Sequence, residues 1–290
     1  RIILAQKKDR EVLFAAAYFA GAEVFFRMTK ALVFYETGKY AVMFFLVLGM
    51  FYQGFKRNAF PYIIYILLLI PGVFVAMDTL GFDTNFRTAI TFNLSGPLSL
   101  CIAALYCYGR RIRFRDILKM MDYMIYPLIA MTIYVFLYTP DRSLDTIATT
   151  SASNPALSGG YGPNQVSTIF GFSIAGLVIG QLTRNYLTDS MIINLLCTAF
   201  FIGLGLITFS RGGLFAAIIA SVLGYSYYFL RGHKKIQFLT STIIILIISI
   251  TTWFFIVRVT EGAITKRYGF TGETYGNTFI LDLTGRAQIY

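Results

Sequence analysis

Apolar residues run along this chain in nine blocks, at 11–26, 40–55, 60–77, 88–108, 121–138, 163–182, 190–209, 212–230 and 237–257, separated by short polar segments. A helix needs about 20 largely apolar residues to cross a bilayer. The blocks come close to that length, the first two least closely, so the pattern predicts about nine membrane helices. The expected fold is all-α: a polytopic transmembrane helical bundle over residues 1–257, followed by 258–290 as the start of an external loop. No internal repeat is visible, and no Gly- or Pro-interrupted block recurs in the two halves as it would in a transporter built from inverted repeats. Gly203, Gly205, Gly212 and Gly213 lie in and beside the blocks at 190–209 and 212–230. Small residues there let neighbouring helices approach closely.

Composition agrees with the pattern. Only 13% of residues are charged and 57% are hydrophobic, where a soluble domain carries about 25% charged residues. The net charge of +11 does not point to nucleic acid, because the basic residues fall mostly in short loops, where they set orientation. One set of alternate loops, dominated by Arg110, Arg111, Arg113, Arg115 and Lys119, holds 15 of the 25 basic residues. The other set, which includes Arg27, Lys30, Arg211 and Arg286, holds the remaining 10 over longer segments. The positive-inside rule puts the first set in the cytoplasm. The N-terminus is then inside and the C-terminus outside, with 139–162, Arg211 and 258–290 external. The cytoplasmic loops are too short for a nucleotide site, and neither a P-loop nor a GxGxxG motif occurs. The chain opens on Arg1 without an initiator Met or a cleavable signal pattern, which leads us to expect a fragment of a longer protein.

Few residues offer chemistry. Arg211 stands between two apolar blocks in Thr208-Phe209-Ser210-Arg211-Gly212-Gly213, in a tight turn or an end turn. A permanent charge there must meet water or an anion, and guanidinium suits bidentate binding of phosphate oxygens. An ordinary turn arginine reaching the interface fits the position too. Glu23 and Arg27 are one helical turn apart and can pair; Arg27 and Lys30 alternatively contact an anionic lipid-linked group. Gly159-Gly160-Tyr161-Gly162-Pro163-Asn164-Gln165 reads as an external loop entering a helix at Pro163, whose free N–H groups attract anions, or as a plain loop-to-helix junction. The sole histidine, His233, falls in a cytoplasmic loop. Cys101, Cys107 and Cys197 lie inside apolar blocks without CxxC spacing and read as packing or lipid-facing residues. No metal ligand set and no cofactor motif is present.

Gly162-Pro163-Asn164-Gln165 opening one block, Ser210-Arg211-Gly212-Gly213 between two others, and Thr284-Gly285-Arg286 followed by Tyr290 together resemble the O-antigen ligase and O-antigen polymerase family of bacterial polysaccharide assembly. The resemblance covers most of residues 160–290. It implies a glycosyltransferase of the bacterial inner membrane with its active site facing the periplasm. Such an enzyme moves a glycan from undecaprenyl diphosphate to an acceptor hydroxyl, either lipid A-core or another lipid-linked repeat unit, without nucleotide or metal. It gives Arg211 and Arg286 the catalytic role of holding the diphosphate and stabilising the leaving group. Arg27, Lys30, Asn164 and Gln165 are the accompanying candidates for substrate binding. Ligases of this family carry a functional histidine further along the periplasmic loop, which would lie past Tyr290. A transporter or flippase for an anionic lipid-linked glycan would use the same arginines for binding alone.

Overall fold

The computed structural model describes residues 8–30, 36–80, 85–138, 153, 155–230, 235–268, 272–275 and 278–281. Each of the nine apolar blocks is a helix: α1 (Lys8–Thr29), α2 (Thr37–Gln53), α3 (Phe60–Leu80), α4 (Asn85–Cys107), α5 (Phe114–Tyr138), α6 (Pro163–Thr183), α7 (Met191–Ile207), α8 (Arg211–Leu230) and α9 (Lys235–Val259). A short α10 (Ala263–Tyr268) follows. The described part of the C-terminal segment adds one antiparallel hairpin, β1 (Gly272–Tyr275) with β2 (Thr278–Leu281), in which Gly272 pairs with Leu281 and Tyr275 with Thr278.

Seven of these helices, α1, α3, α4, α5, α6, α8 and α9, are long and apolar enough to cross a membrane. The protein is an all-α, multi-pass membrane protein. α2 and α7 have 17 residues each, at the lower limit for crossing. The shortness of α7 departs from the 190–209 expectation for a local reason. Ser190 caps its start, accepting from the Ile193 N–H at 3.5 Å, and Phe209 takes a left-handed φ of 53° that ends the helical run. A bulky residue pays for that conformation only where its surroundings hold it, and Phe209 is fully buried.

The chain divides into two compact units, residues 1–130 and 131–290, and α5 runs from one into the other. In the first unit α1 packs along α2, α2 along α4 and α4 along α3. Its core gathers Val12, Leu13, Ala16, Leu46 and Tyr106. Glycines set the spacing: a Cβ on Gly21 would collide with the Met124 backbone, and one on Gly49 with the Tyr106 ring. Arg110 ties the loop before α5 to the end of α2. It donates to the Gly54 carbonyl at 2.7 Å and to the Gln53 side chain at 2.6 Å, and it lies over the Tyr106 ring. A cation there satisfies carbonyls that the end of α2 leaves without helical partners.

In the second unit α6 is the central helix, packed against α8 and α7. Pro163 starts it at the position where a missing N–H costs nothing, and Arg184 ends it in a left-handed cap whose N–H bonds the Gly180 carbonyl. The buried Asn194 of α7 donates to the Leu177 carbonyl at 3.1 Å and accepts from the Leu187 N–H at 3.4 Å. It thereby holds the α6–α7 connection closed. Large apolar side chains along α3, α8 and α9 stay exposed, as lipid contact requires of helices whose backbone groups are satisfied internally.

Candidate functional site

Arg211 is the first residue of α8, one of the end-turn positions expected for it. The approach is built by side chains that hydrogen-bond locally. The Thr208 hydroxyl donates to the Gly205 carbonyl at 2.7 Å and accepts from the Ser210 N–H at 3.3 Å. Thr208, Phe209 and Ser210 are all buried. The chain turns over these three residues and delivers Arg211, half-buried, to the start of the next helix.

The neighbour at this point is the start of α6. The Ser167 hydroxyl donates to the Ser210 carbonyl at 2.8 Å, and the Ser210 hydroxyl donates to the Asn164 side-chain oxygen at 2.9 Å. One turn on, the two backbones touch. A Cβ on Gly213 would collide with the Ser167 carbonyl, and one on Gly171 with the Gly213 carbonyl. Of the four glycines expected to permit close approach, Gly213 is the one that requires it. Gly205 is tight against Leu214, Gly203 has ordinary contacts, and Gly212 faces open space. The closely packed starts of α6 and α8 therefore lie side by side and point the same way. Each brings the positive end of a helix dipole, and Arg211 stands at the first position of α8, so this level favours an anion.

Tyr268 of α10 closes the same end, its hydroxyl 3.5 Å from the Ser210 carbonyl and its ring edge-on to Trp253 of α9. The segment that follows α9 thus begins beside Arg211. Tyr268 and Trp253 have no motif to announce them in the sequence; only the return of α10 against this end brings them in.

From Arg211 and Tyr268 a cavity of about 1010 Å³ runs along α8 and α9, with Ile174 and Val178 of α6 at its back. Its α8 wall recurs every three or four residues, through Leu214, Ile218, Ser221 and Tyr225 to Phe229. The far end is aromatic: the Phe238 ring lies 5.6 Å from Tyr225 and 5.3 Å from Phe229, centroid to centroid. The result is a long apolar groove with a cation at one end.

Asn164 and Gln165 are exposed in the first turn of α6. Asn164 is engaged with Ser210, while Gln165 folds back over Gly162, where a Cβ would lie 2.8 Å from its side-chain oxygen. Arg286 lies outside the described residues, as does His233. Arg27 and Lys30 belong to the first unit. Arg27 pairs with Glu23, as their spacing allowed, and with Glu36 of the following segment at 3.0 Å. Lys39 completes the group at 2.6 Å from Glu36, and donates to the Ser95 hydroxyl at 3.2 Å. Two carboxylates and two cations balance within this cluster, the arrangement of a structural ion network. Lys30, by contrast, is exposed. Glu36→Ala would leave two cations without their shared, nearly buried carboxylate, and removing one partner of a buried pair costs about 3 kcal/mol or more. The expected outcome is a clearly lowered thermal unfolding midpoint in detergent, larger than for Lys30→Ala, which should change it little.

Among the described residues no group of His, Cys, Asp and Glu is placed to hold a metal ion. No protein-family model matches the chain, and no curated protein and no solved structure matches it either.

Proposed function

We propose that this protein is a membrane glycosyltransferase of the O-antigen ligase or polymerase type. In this reading it moves a glycan from undecaprenyl diphosphate to an acceptor hydroxyl on the periplasmic side of the bacterial inner membrane. The observation that carries the reading is the pairing of Arg211 and two adjacent helix starts with a groove that is mostly apolar. A lipid-linked diphosphate has that shape and polarity: a polyanion at the interface and a hydrocarbon tail below it. The resemblance of the motifs around Asn164, Arg211 and Arg286 is what adds a glycan to this reading.

The chemistry asks little else of this region. The bond between the anomeric carbon and the diphosphate oxygen breaks, and the acceptor oxygen bonds to that carbon. The acceptor's proton passes to a general base. Charge grows on the departing diphosphate. Prepositioned guanidinium and helix N–H groups stabilise that charge where water is scarce. Lipid A-core as acceptor makes the enzyme a ligase; a second lipid-linked repeat unit makes it a polymerase.

The reading requires an external site, with about nine spans, the N-terminus inside and 258–290 outside. Cysteine labelling of intact cells checks this. Arg113→Cys is expected to resist an impermeant thiol reagent and Ser153→Cys to react; the reverse pattern removes the periplasmic site. The activity itself is tested in proteoliposomes holding the full-length chain, undecaprenyl-diphosphate-linked glycan and acceptor. A new glycosidic bond, with free undecaprenyl diphosphate released in equal amount, is the expected result. Movement of the intact lipid-linked glycan across the bilayer without bond formation would instead establish the flippase alternative.

A further inference from the structure

We infer that the loop joining α2 to α3 and the loop joining α4 to α5 form one basic patch that binds the headgroups of anionic phospholipids. The patch lies wholly in the first unit and owes nothing to the reading of Arg211.

In the sequence the two basic runs are far apart, with 53 positions between Arg57 and Arg110. The fold joins them. Arg110 of the second loop donates to the Gly54 carbonyl and the Gln53 side chain at the end of α2. In return, Lys56 of the first loop lies across Gly109, where a Cβ would come within 2.8 Å of the Lys56 Cδ. Gly54 and Gly109 both take a left-handed φ, 65° and 64°, which glycine adopts without steric cost. The Tyr62 and Tyr108 rings meet edge to face across the same junction, 6.2 Å apart. Each loop is also fixed by itself. A short 3-10 turn, Arg57–Ala59, buries Ala59 fully. The Arg113 carbonyl accepts from the Asp116 and Ile117 N–H groups and starts α5.

The joined loops carry Lys56, Arg57, Arg111, Arg113 and Arg115, all exposed. Among the described residues none of these five takes part in an ion pair. Nearby, Asp116 is held by Arg10 at 3.1 Å, and Glu11 of α1 is half-buried. The patch is therefore strongly positive, and like charges concentrated this way repel one another until an anion joins them. The aromatic rim selects the anion. Phe55, Phe60, Tyr62, Tyr108 and Phe114 stand exposed among the cations. Aromatic side chains at the ends of membrane helices sit at the level of the headgroups. An anionic phospholipid meets both features at once, its phosphate on the cations and the upper part of its chains on the rings. A soluble acidic protein meets only the charges, and must compete with the bilayer for the rings.

One Lys or Arg beside an anionic lipid surface is worth about fivefold in affinity. The test is native mass spectrometry of the detergent-solubilised full-length chain with phosphatidylglycerol, phosphatidylcholine or a polyglutamate peptide added. Wild-type protein should bind phosphatidylglycerol at least about tenfold more tightly than phosphatidylcholine. Raising the salt should weaken phosphatidylglycerol binding alone, because the contact is between exposed charges. Lys56→Gln/Arg57→Gln should lower phosphatidylglycerol affinity about 25-fold, and Arg111→Gln/Arg113→Gln/Arg115→Gln at least as much. Both should leave phosphatidylcholine binding unchanged, which reports a folded protein. Arg184→Gln/Arg258→Gln removes two exposed cations of the second unit and should keep the full preference. Equal binding of the two lipids by wild type, or a preference that salt does not weaken, would overturn the inference. So would full preference in either loop variant, or an equal loss in the second-unit variant. Displacement of phosphatidylglycerol by polyglutamate would overturn it too, and make an acidic protein segment the partner.

Discussion

Arg211→Lys in the full-length chain is expected to lower the rate of glycan transfer by about 100- to 1,000-fold at matched expression, a loss of about 2.7–4 kcal/mol of transition-state stabilisation. Lysine keeps the charge, so a purely electrostatic role would survive the change. What it loses is the planar fork that grips two phosphate oxygens together. The fixed backbone around Arg211 sharpens the expectation. Ser210 is held by Asn164, Ser167 and Tyr268, so a lysine at the next residue cannot recover the geometry by moving the helix start. Arg286→Lys is expected to cause a loss of the same order, because the resemblance puts both guanidiniums on one diphosphate. Transfer in proteoliposomes is the measurement, and wild-type rates in both variants would remove the diphosphate clamp.

Gly213→Leu is expected to abolish folded, membrane-inserted protein, and Gly212→Leu to be tolerated. At Gly213 the obstacle is the Ser167 backbone, which no rotamer change can relieve, so α6 and α8 must separate. Separation also breaks the Ser167–Ser210 bond and opens the Gly171 contact. A cost of about 4 kcal/mol or more, in the range reserved for severe core disruption, is enough to unfold a protein of ordinary stability. Gly212 faces open space, with no neighbouring atom within 4 Å of an added Cβ. Monodisperse yield after detergent extraction reads both outcomes. Normal yield from the Gly213 variant would show that the two helix starts are not in contact.

These two glycines also mark how far the sequence could be read. Hydropathy located α1 to α9, because a run of apolar residues in lipid has helix as its cheapest backbone solution. It could not rank them. α6 is mostly buried and α3 is exposed along its length, yet both are apolar on every side, so periodicity carries no sign of which face meets protein. Adjacent glycines are about 100° apart around a helix, and only the position of α6 decides that Gly213, rather than Gly212, is the contact. The Glu23–Arg27 pair was legible from its spacing. Glu36 was not, because it comes from the next segment. Arg211 and Asn164 were visible as separate motifs 47 positions apart. The parallel packing of α6 and α8 that makes them neighbours is tertiary, and so is the groove beneath them.

The central claim is that Arg211 holds the diphosphate of a lipid-linked glycan at the mouth of the α8–α9 groove. An experimental structure of the full-length chain with undecaprenyl diphosphate bound tests it most directly. The account predicts phosphate oxygens within about 3 Å of the Arg211 guanidinium, facing the first turns of α6 and α8, with the tail descending past Ser221 and Ser249. A diphosphate bound elsewhere, with Arg211 turned to bulk solvent and the groove filled by ordinary phospholipid or protein, would contradict it.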